Sequence, residues 1–212
     1  FGIRPDMHVV EIWPGKDGWY TEILAPYLAD RGQLTVAVFG DQTDQHRDFM
    51  LEANTAFAAK LDADPGVYEA VAVTSLWAPG QVALAAPGSQ DMVLTFRNIH
   101  NWMPRGYAEG MFEAMYKALK PGGVLGVVEH RGNPDMEQDP KAASGYVNED
   151  YAIALAEAAG WDEQQIGGKA AKLARLAQGA IQRHTLLGRL VDLVCARFTR
   201  GMSATVLLPK SP

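Results

Sequence analysis

The chain has 212 residues, 48% of them apolar, and a formal net charge of −6. That length suits one globular domain with a sizeable core, and the acidic balance argues against nucleic acid as a main partner. The lone cysteine, Cys195, excludes an intrachain disulfide and a multi-cysteine zinc site.

Residues 8–13 (HVVEIW) read as a buried strand, short, rich in β-branched residues and closed by Pro14-Gly15. Residues 19–30 read as a helix with Ile23, Leu24, Tyr27 and Leu28 on one face, kinked or shortened by Pro26. Arg31-Gly32 stops it, and LTVAVF (34–39) forms a second strand. Helical spacing returns over 44–61 with Phe49, Ala53, Phe57 and Leu61, and Asp64-Pro65-Gly66 is a turn. A third strand covers 70–76, a loop rich in Pro, Gly and Ala covers 78–90, and a fourth strand covers 92–96. The most periodic helix spans 107–119 and stops at Lys120-Pro121-Gly122-Gly123, before a fifth strand over 124–128. Beyond Trp161 the pattern becomes helical and basic, with seven Lys or Arg against three Asp or Glu in 161–200. SATVLL (203–208) is the one further strand.

Strands alternating with helices predict an α/β fold, a doubly wound and mostly parallel sheet covered on both faces. The expected organisation is an α/β domain over 1–160, with 161–212 as a helical extension and closing strand packed on it. Ligands of such sheets bind beyond the carboxyl ends of the strands. That directs attention to the loops after Glu11, Phe39, Phe96 and Val128. In the first loop, Gly15 and Gly18 let backbone approach a ligand, the helix N-terminus offers amides, and Thr21 either caps the helix or reaches a carboxylate. Trp13 stands where such loops usually keep a glycine, and Lys16-Asp17 interrupts the spacing. After the fourth strand come Arg97, Asn98, His100, Asn101 and Trp102. Histidine ordinarily titrates near ~6.5, so His100, or His130 after the fifth strand, suits a proton acceptor at neutral pH. Glu129 and Arg131 flank His130 at the same edge. Tyr146 either covers a substrate or packs the next helix, for which Asn148 is the cap. No metal is expected, because these groups lack ligand spacing on one element.

Two stretches carry a family resemblance. ALKPGGVLGVVEH (118–130) resembles the late motif of class I S-adenosylmethionine-dependent methyltransferases, and DMVLTFRNIHNW (91–102) is similar to the strand that precedes it there. With the Glu11 loop, three motifs line up across residues 8–130. EIWPG, WYTEILAPYL, TFRNIHNW and GVVEHR together look like a bacterial branch of predicted methyltransferases whose members often begin with an export signal.

The resemblance implies S-adenosylmethionine as cofactor and a small-molecule acceptor. It implies that Glu11 helps hold the methionine ammonium, that Trp13, Gly15, Gly18 and Thr21 lie around that tail, and that Phe39 lies against the adenine. Asp41 takes the ribose hydroxyls if the second strand ends late, and Asn98 completes the cofactor set. Arg97, Asn101, Trp102, Glu129, Arg131 and Tyr146 fall to the substrate, with His100 or His130 as base. A second reading, carried by Trp13 and the shifted glycines, is a methyltransferase-like binding protein without catalysis. A dinucleotide oxidoreductase would want Gly-x-Gly-x-x-Gly, which the loop lacks. The C-terminal segment is a candidate dimer arm. The chain lacks a run of about 18 uncharged apolar residues, so no transmembrane helix is expected. It opens on Phe1, so a trimmed export signal would place it in the periplasm, with the cytoplasm as the default.

Overall fold

A computed structural model describes residues 1–40, 47–77, 80, 82–161 and the backbone of 202–207. In chain order the elements are β1 (His8–Ile12), α1 (Thr21–Leu28), β2 (Gln33–Phe39), α2 (Arg47–Ala63), α3 (Pro65–Tyr68), β3 (Ala72–Leu76) and β4 (Gln90–Phe96). There follow α4 (Ile99–Trp102), a 3-10 turn (Met103–Arg105), α5 (Ala108–Ala118), β5 (Leu119–His130), α6 (Glu149–Ala159) and β6 (Met202–Leu207). They build one six-stranded sheet in the order β3-β2-β1-β4-β5-β6. The first five strands are parallel, and β6 joins β5 antiparallel.

Parallel strands joined by helical crossovers are covered on both faces, so their side chains feed two cores. Val10, Ile12 and Val93 face α5 and α6, where Met111, Phe112, Met115, Leu155 and Ala156 are buried. Val9, Val36, Met92 and Leu94 face the other way, onto Leu24 and Leu28 of α1 and Phe57 of α2. The buried positions of α5 recur at three- and four-residue steps, which puts one apolar stripe against the sheet.

The KPGG stretch departs from the expectation of a turn. It runs inside β5, where Gln90 pairs with Leu119 but Met92 pairs with Val124, so residues 120–123 bulge out of register. Gly122 makes the bulge at φ +77°, and a Cβ on Gly123 would lie 3.1 Å from the Gln90 carbonyl. On α2, Phe49 is exposed and Met50 is buried in its place. Asp64-Pro65-Gly66 opens the short helix α3 instead of making a plain turn. The closing strand is present one residue earlier than expected. The dimer arm and Asp41 lie outside the described residues.

Candidate functional site

The switch in chain direction between β1 and β4 opens a crevice at their carboxyl ends, as doubly wound sheets do. Here it is a cleft of about 490 Å³. The β1 and β2 side supplies Glu11, Trp13, Pro14, Gly15 and Phe39, and the β4 and β5 side supplies Phe96, Arg97, Asn98, His100, Asn101 and His130. Trp19, Tyr20, Phe49, Met50 and Arg105 complete the wall. None of these five was singled out from the sequence. Phe49 was assigned to the core, and Arg105 sits on a 3-10 turn that no periodicity announces.

Glu11 is only 1% exposed. Its Oε2 accepts a 2.7 Å hydrogen bond from the Thr21 hydroxyl, while its Oε1 is buried without a partner. Burial pushes this carboxyl up to about 7, against the opposing pull of the Thr21 hydrogen bond. Thr21 therefore does not cap α1; fully buried, it holds Glu11.

Trp13 does not plug the cleft. Its amide donates to the Ala37 carbonyl at 2.8 Å, and its backbone then turns left-handed at φ +49°. Strict alternation along β1 would send residue 13 to the α1 side with Val9. The left-handed turn instead puts the indole with Ile12 in the opposite core. There it packs 4.6 Å from Phe39 and 6.0 Å from Trp102, and its Nε1 donates to the Leu76 carbonyl at 3.1 Å. Lys16 and Asp17 are exposed, so the residues that break the glycine spacing stand in solvent. Gly15, at φ +69°, has open space where a Cβ would be. Gly18 serves packing: a Cβ there would lie 2.5 Å from the Phe57 ring.

On the opposite wall, Asn98 is buried and its Nδ2 donates to the Ile12 carbonyl and to the Thr95 hydroxyl, both at 3.1 Å. This ties the end of β4 to the end of β1. His100 Nδ1 lies 2.9 Å from Glu129 Oε1, and the same oxygen accepts the His130 amide at 2.8 Å. Glu129 Oε2 accepts the His100 amide at 3.4 Å. Glu129 is thus buried and holds His100. An ionised carboxylate only accepts, so this contact favours the proton on Nδ1, and in that neutral tautomer Nε2 keeps its lone pair. The His130 ring lies 5.8 Å from that of His100.

Three other expected site residues lie elsewhere. Trp102 is fully buried against Trp13 and Phe112. Arg131 pairs with Glu149 at 3.2 Å and lines a second groove with Tyr146, whose ring lies 5.8 Å from that of His130 in the cleft wall. Asn148 takes the N-cap position of α6, yet its side chain donates to the Met136 carbonyl instead of capping. Among the described residues no group of three or more His, Cys, Asp or Glu is arranged to hold a metal, and no helix is long and apolar enough to cross a membrane.

Strand order and strand direction together define a doubly wound α/β fold with a cleft at the β1/β4 switch. Comparison with solved structures makes this specific: the chain has the fold of S-adenosylmethionine-dependent methyltransferases. A SAM-dependent methyltransferase from Aquifex aeolicus aligns with TM-score 0.55 and 15% identity over 76% of this chain and 75% of that one. An arsenic(III) S-adenosylmethionine methyltransferase from Chlamydomonas reinhardtii aligns with TM-score 0.56 and 17% identity; all of this chain is covered, and it spans 65% of that protein. The [4+2]-cyclase SpnF aligns at TM-score 0.52 and 16% identity, over 97% of this chain and 75% of that one. No protein-family model and no curated protein matches the sequence.

Proposed function

We infer that this chain is a methyltransferase using S-adenosylmethionine and acting on a small-molecule acceptor. The observation that carries the reading is Glu11, a buried carboxyl at the cleft wall with one oxygen held by Thr21 and the other unpartnered. An ammonium group satisfies that oxygen and its charge together, and a buried carboxylate otherwise stays costly. The open backbone at Gly15 and the aromatic face of Phe39 suit the rest of the cofactor. Among the described residues no second carboxylate lines the cleft to take the ribose hydroxyls, because β2 ends at Phe39 and Gly40 packs on Trp77. Asp41 is the proposed residue for that contact.

When bound, the cofactor supplies an electrophilic methyl group and a good leaving group, so the protein's task is alignment and exclusion of water. Asn98 fixes the spacing of the two walls. His100, oriented by Glu129, accepts the proton of an acceptor hydroxyl at Nε2. His130 stands beside it as the alternative base, and Asn101 faces the same side. A binding protein without catalysis is the competing reading, since a [4+2]-cyclase also has this fold and fold alone does not fix activity.

Titration calorimetry with S-adenosylmethionine and its demethylated product tests the first step. Binding is expected for the parent chain and weakening of roughly 10- to 100-fold for Glu11→Gln, the size of a lost charge-assisted hydrogen bond. No binding at millimolar cofactor overturns the reading. Binding without methyl transfer to any acceptor in a broad small-molecule screen supports the competing one.

A further inference from the structure

The β4 side of the cleft has a charge pattern that the cofactor does not account for. Arg97 follows β4 in a left-handed conformation at φ +59°. Its amide donates to the Val128 carbonyl at 2.7 Å and its carbonyl accepts Asn101 Nδ2 at 3.1 Å, so the strained backbone is pinned on both sides. Left-handed backbone is costly for a non-glycine residue, and such strain concentrates at ligand sites. The guanidinium is exposed on the cleft and has no hydrogen-bond or ion-pair partner among the described residues. Several other basic side chains are paired, as Arg4 with Asp6, Lys60 with Glu22, Lys120 with Asp91 and Arg131 with Glu149. Among the described residues the one carboxyl lining the cleft, Glu11, is buried and turned to Thr21, so it does not neutralise Arg97. The other ionisable groups of the wall are Arg105, His100 and His130. Among the described lining residues the exposed fixed charge at this mouth is basic, on a chain of net charge −6.

We propose that the methyl acceptor is an anion, and that Arg97 grips its carboxylate or phosphate group while the acceptor's hydroxyl faces His100. The planar fork of arginine matches either oxyanion with two parallel hydrogen bonds. The aromatic wall takes the acceptor's apolar body. This deepens the methyltransferase reading and rests on it for the word acceptor, but the oxyanion site itself is measurable without turnover.

Trp13 and Trp19 line the cleft, so their fluorescence reports occupancy. The test titrates matched probes (4-hydroxybenzoate, its neutral amide, and phenyl phosphate) into the full chain and into Arg97→Asn and Arg97→Lys. Asparagine tolerates left-handed backbone, so Arg97→Asn removes the charge without penalising the fold. Binding of the demethylated cofactor is measured on all three by calorimetry. Expected are acids binding at least ~10-fold more tightly than the amide, from one charge-assisted contact. That preference should vanish in Arg97→Asn and return in part in Arg97→Lys, with cofactor affinity within about 2-fold throughout. Whether 4-hydroxybenzoate or phenyl phosphate gains more tells carboxylate from phosphate. Equal binding of acids and amide overturns the proposal. So does a loss of cofactor affinity in Arg97→Asn, which would make Arg97 a cofactor contact. An acid preference in a chain that binds no cofactor leaves the oxyanion site standing and removes the methyltransferase reading instead.

Discussion

Glu11 ties stability to pH in a direction opposite to most carboxyls. Burial raises it to about 7 from the 4.5 of a free glutamate side chain. Below pH ~4.5 it is protonated in both folded and unfolded chains and costs nothing. Between ~4.5 and 7 the unfolded chain has released the proton and the fold has not, so stability falls as pH rises, by roughly 3 kcal/mol in all. Above 7 the fold has ionised too and the loss is complete. Glu11→Gln keeps an oxygen for the Thr21 hydroxyl and removes the charge. Urea melts should therefore show the two chains alike near pH 4.5 and the variant more stable at pH 8. Equal pH profiles would mean that Glu11 does not titrate as a buried acid. A second residue-scale expectation concerns His100. If it takes a proton, His100→Asn should slow methyl transfer by about 10²- to 10⁴-fold, the usual worth of a positioned base. It should leave cofactor binding unchanged, and it should recover rate at a pH that ionises the acceptor. Glu129→Gln should give a smaller loss and a changed imidazole tautomer by nitrogen NMR, because the carboxylate that fixes Nδ1–H is gone. A loss that high pH does not rescue would make His100 structural.

At the scale of elements, the β1–α1 loop is held by packing as much as by turn chemistry. Gly18 lies at φ +53° with the Phe57 ring where its Cβ would be. Gly18→Ala should cost roughly 1–3 kcal/mol through overpacking and backbone strain. Adding Phe57→Leu should recover part of it, because the two positions share one contact. Strictly additive losses in denaturant melts would show that the ring is not what the Cβ meets. The order of strands and helices was readable in the sequence because each is short, bounded by Gly or Pro, and apolar on the face that packs. Glu11, Gly15, Phe39, Asn98 and His100, marked out in the sequence by their places at or just beyond strand ends, line one cleft. What was not readable depends on contacts between distant segments. Phe49, Ala53, Phe57 and Leu61 recur every four residues, yet an α-helix turns in 3.6, so that series drifts round the helix and Met50 takes the buried place. KPGG has the composition of a turn, and only pairing with Gln90 and Met92 makes it a bulge within β5. Trp13 contradicts a glycine loop until its left-handed backbone is seen to send the indole into the other core. That Glu129 holds His100 and Thr21 holds Glu11 was not readable either, because sequence places a residue near the site without saying which way its side chain is turned.

For the whole molecule, the last strand connects stability to the site. β5 is the final parallel strand, and β6 covers its far edge from Leu125 opposite Leu207 to His130 opposite Met202. That ladder ends where Glu129 and His130 stand, opposite Ser203 and Met202. The sheet thus closes from outside on the segment that orients His100, while β4 holds it from inside through the Val128 carbonyl and the Arg97 amide. Breaking β6 should consequently disturb the site before it unfolds the rest. In an antiparallel ladder the inward-facing amides alternate, so Thr205→Pro together with Val206→Pro must remove one donor to β5, whichever residue supplies it. At ~0.5–1.5 kcal/mol for each ladder bond lost, the double variant should unfold at clearly lower urea. Under native conditions its amides at 125–130 should exchange faster, while those of β1 at the sheet centre keep their protection, because opening proceeds in contiguous units. Anionic probes that contact Arg97 and His100 should bind more weakly as well, with the Glu11 half of the cleft unchanged. Uniform loss of protection across all strands would instead mean that the sheet opens as one unit and that β6 supports stability without any particular hold on the site.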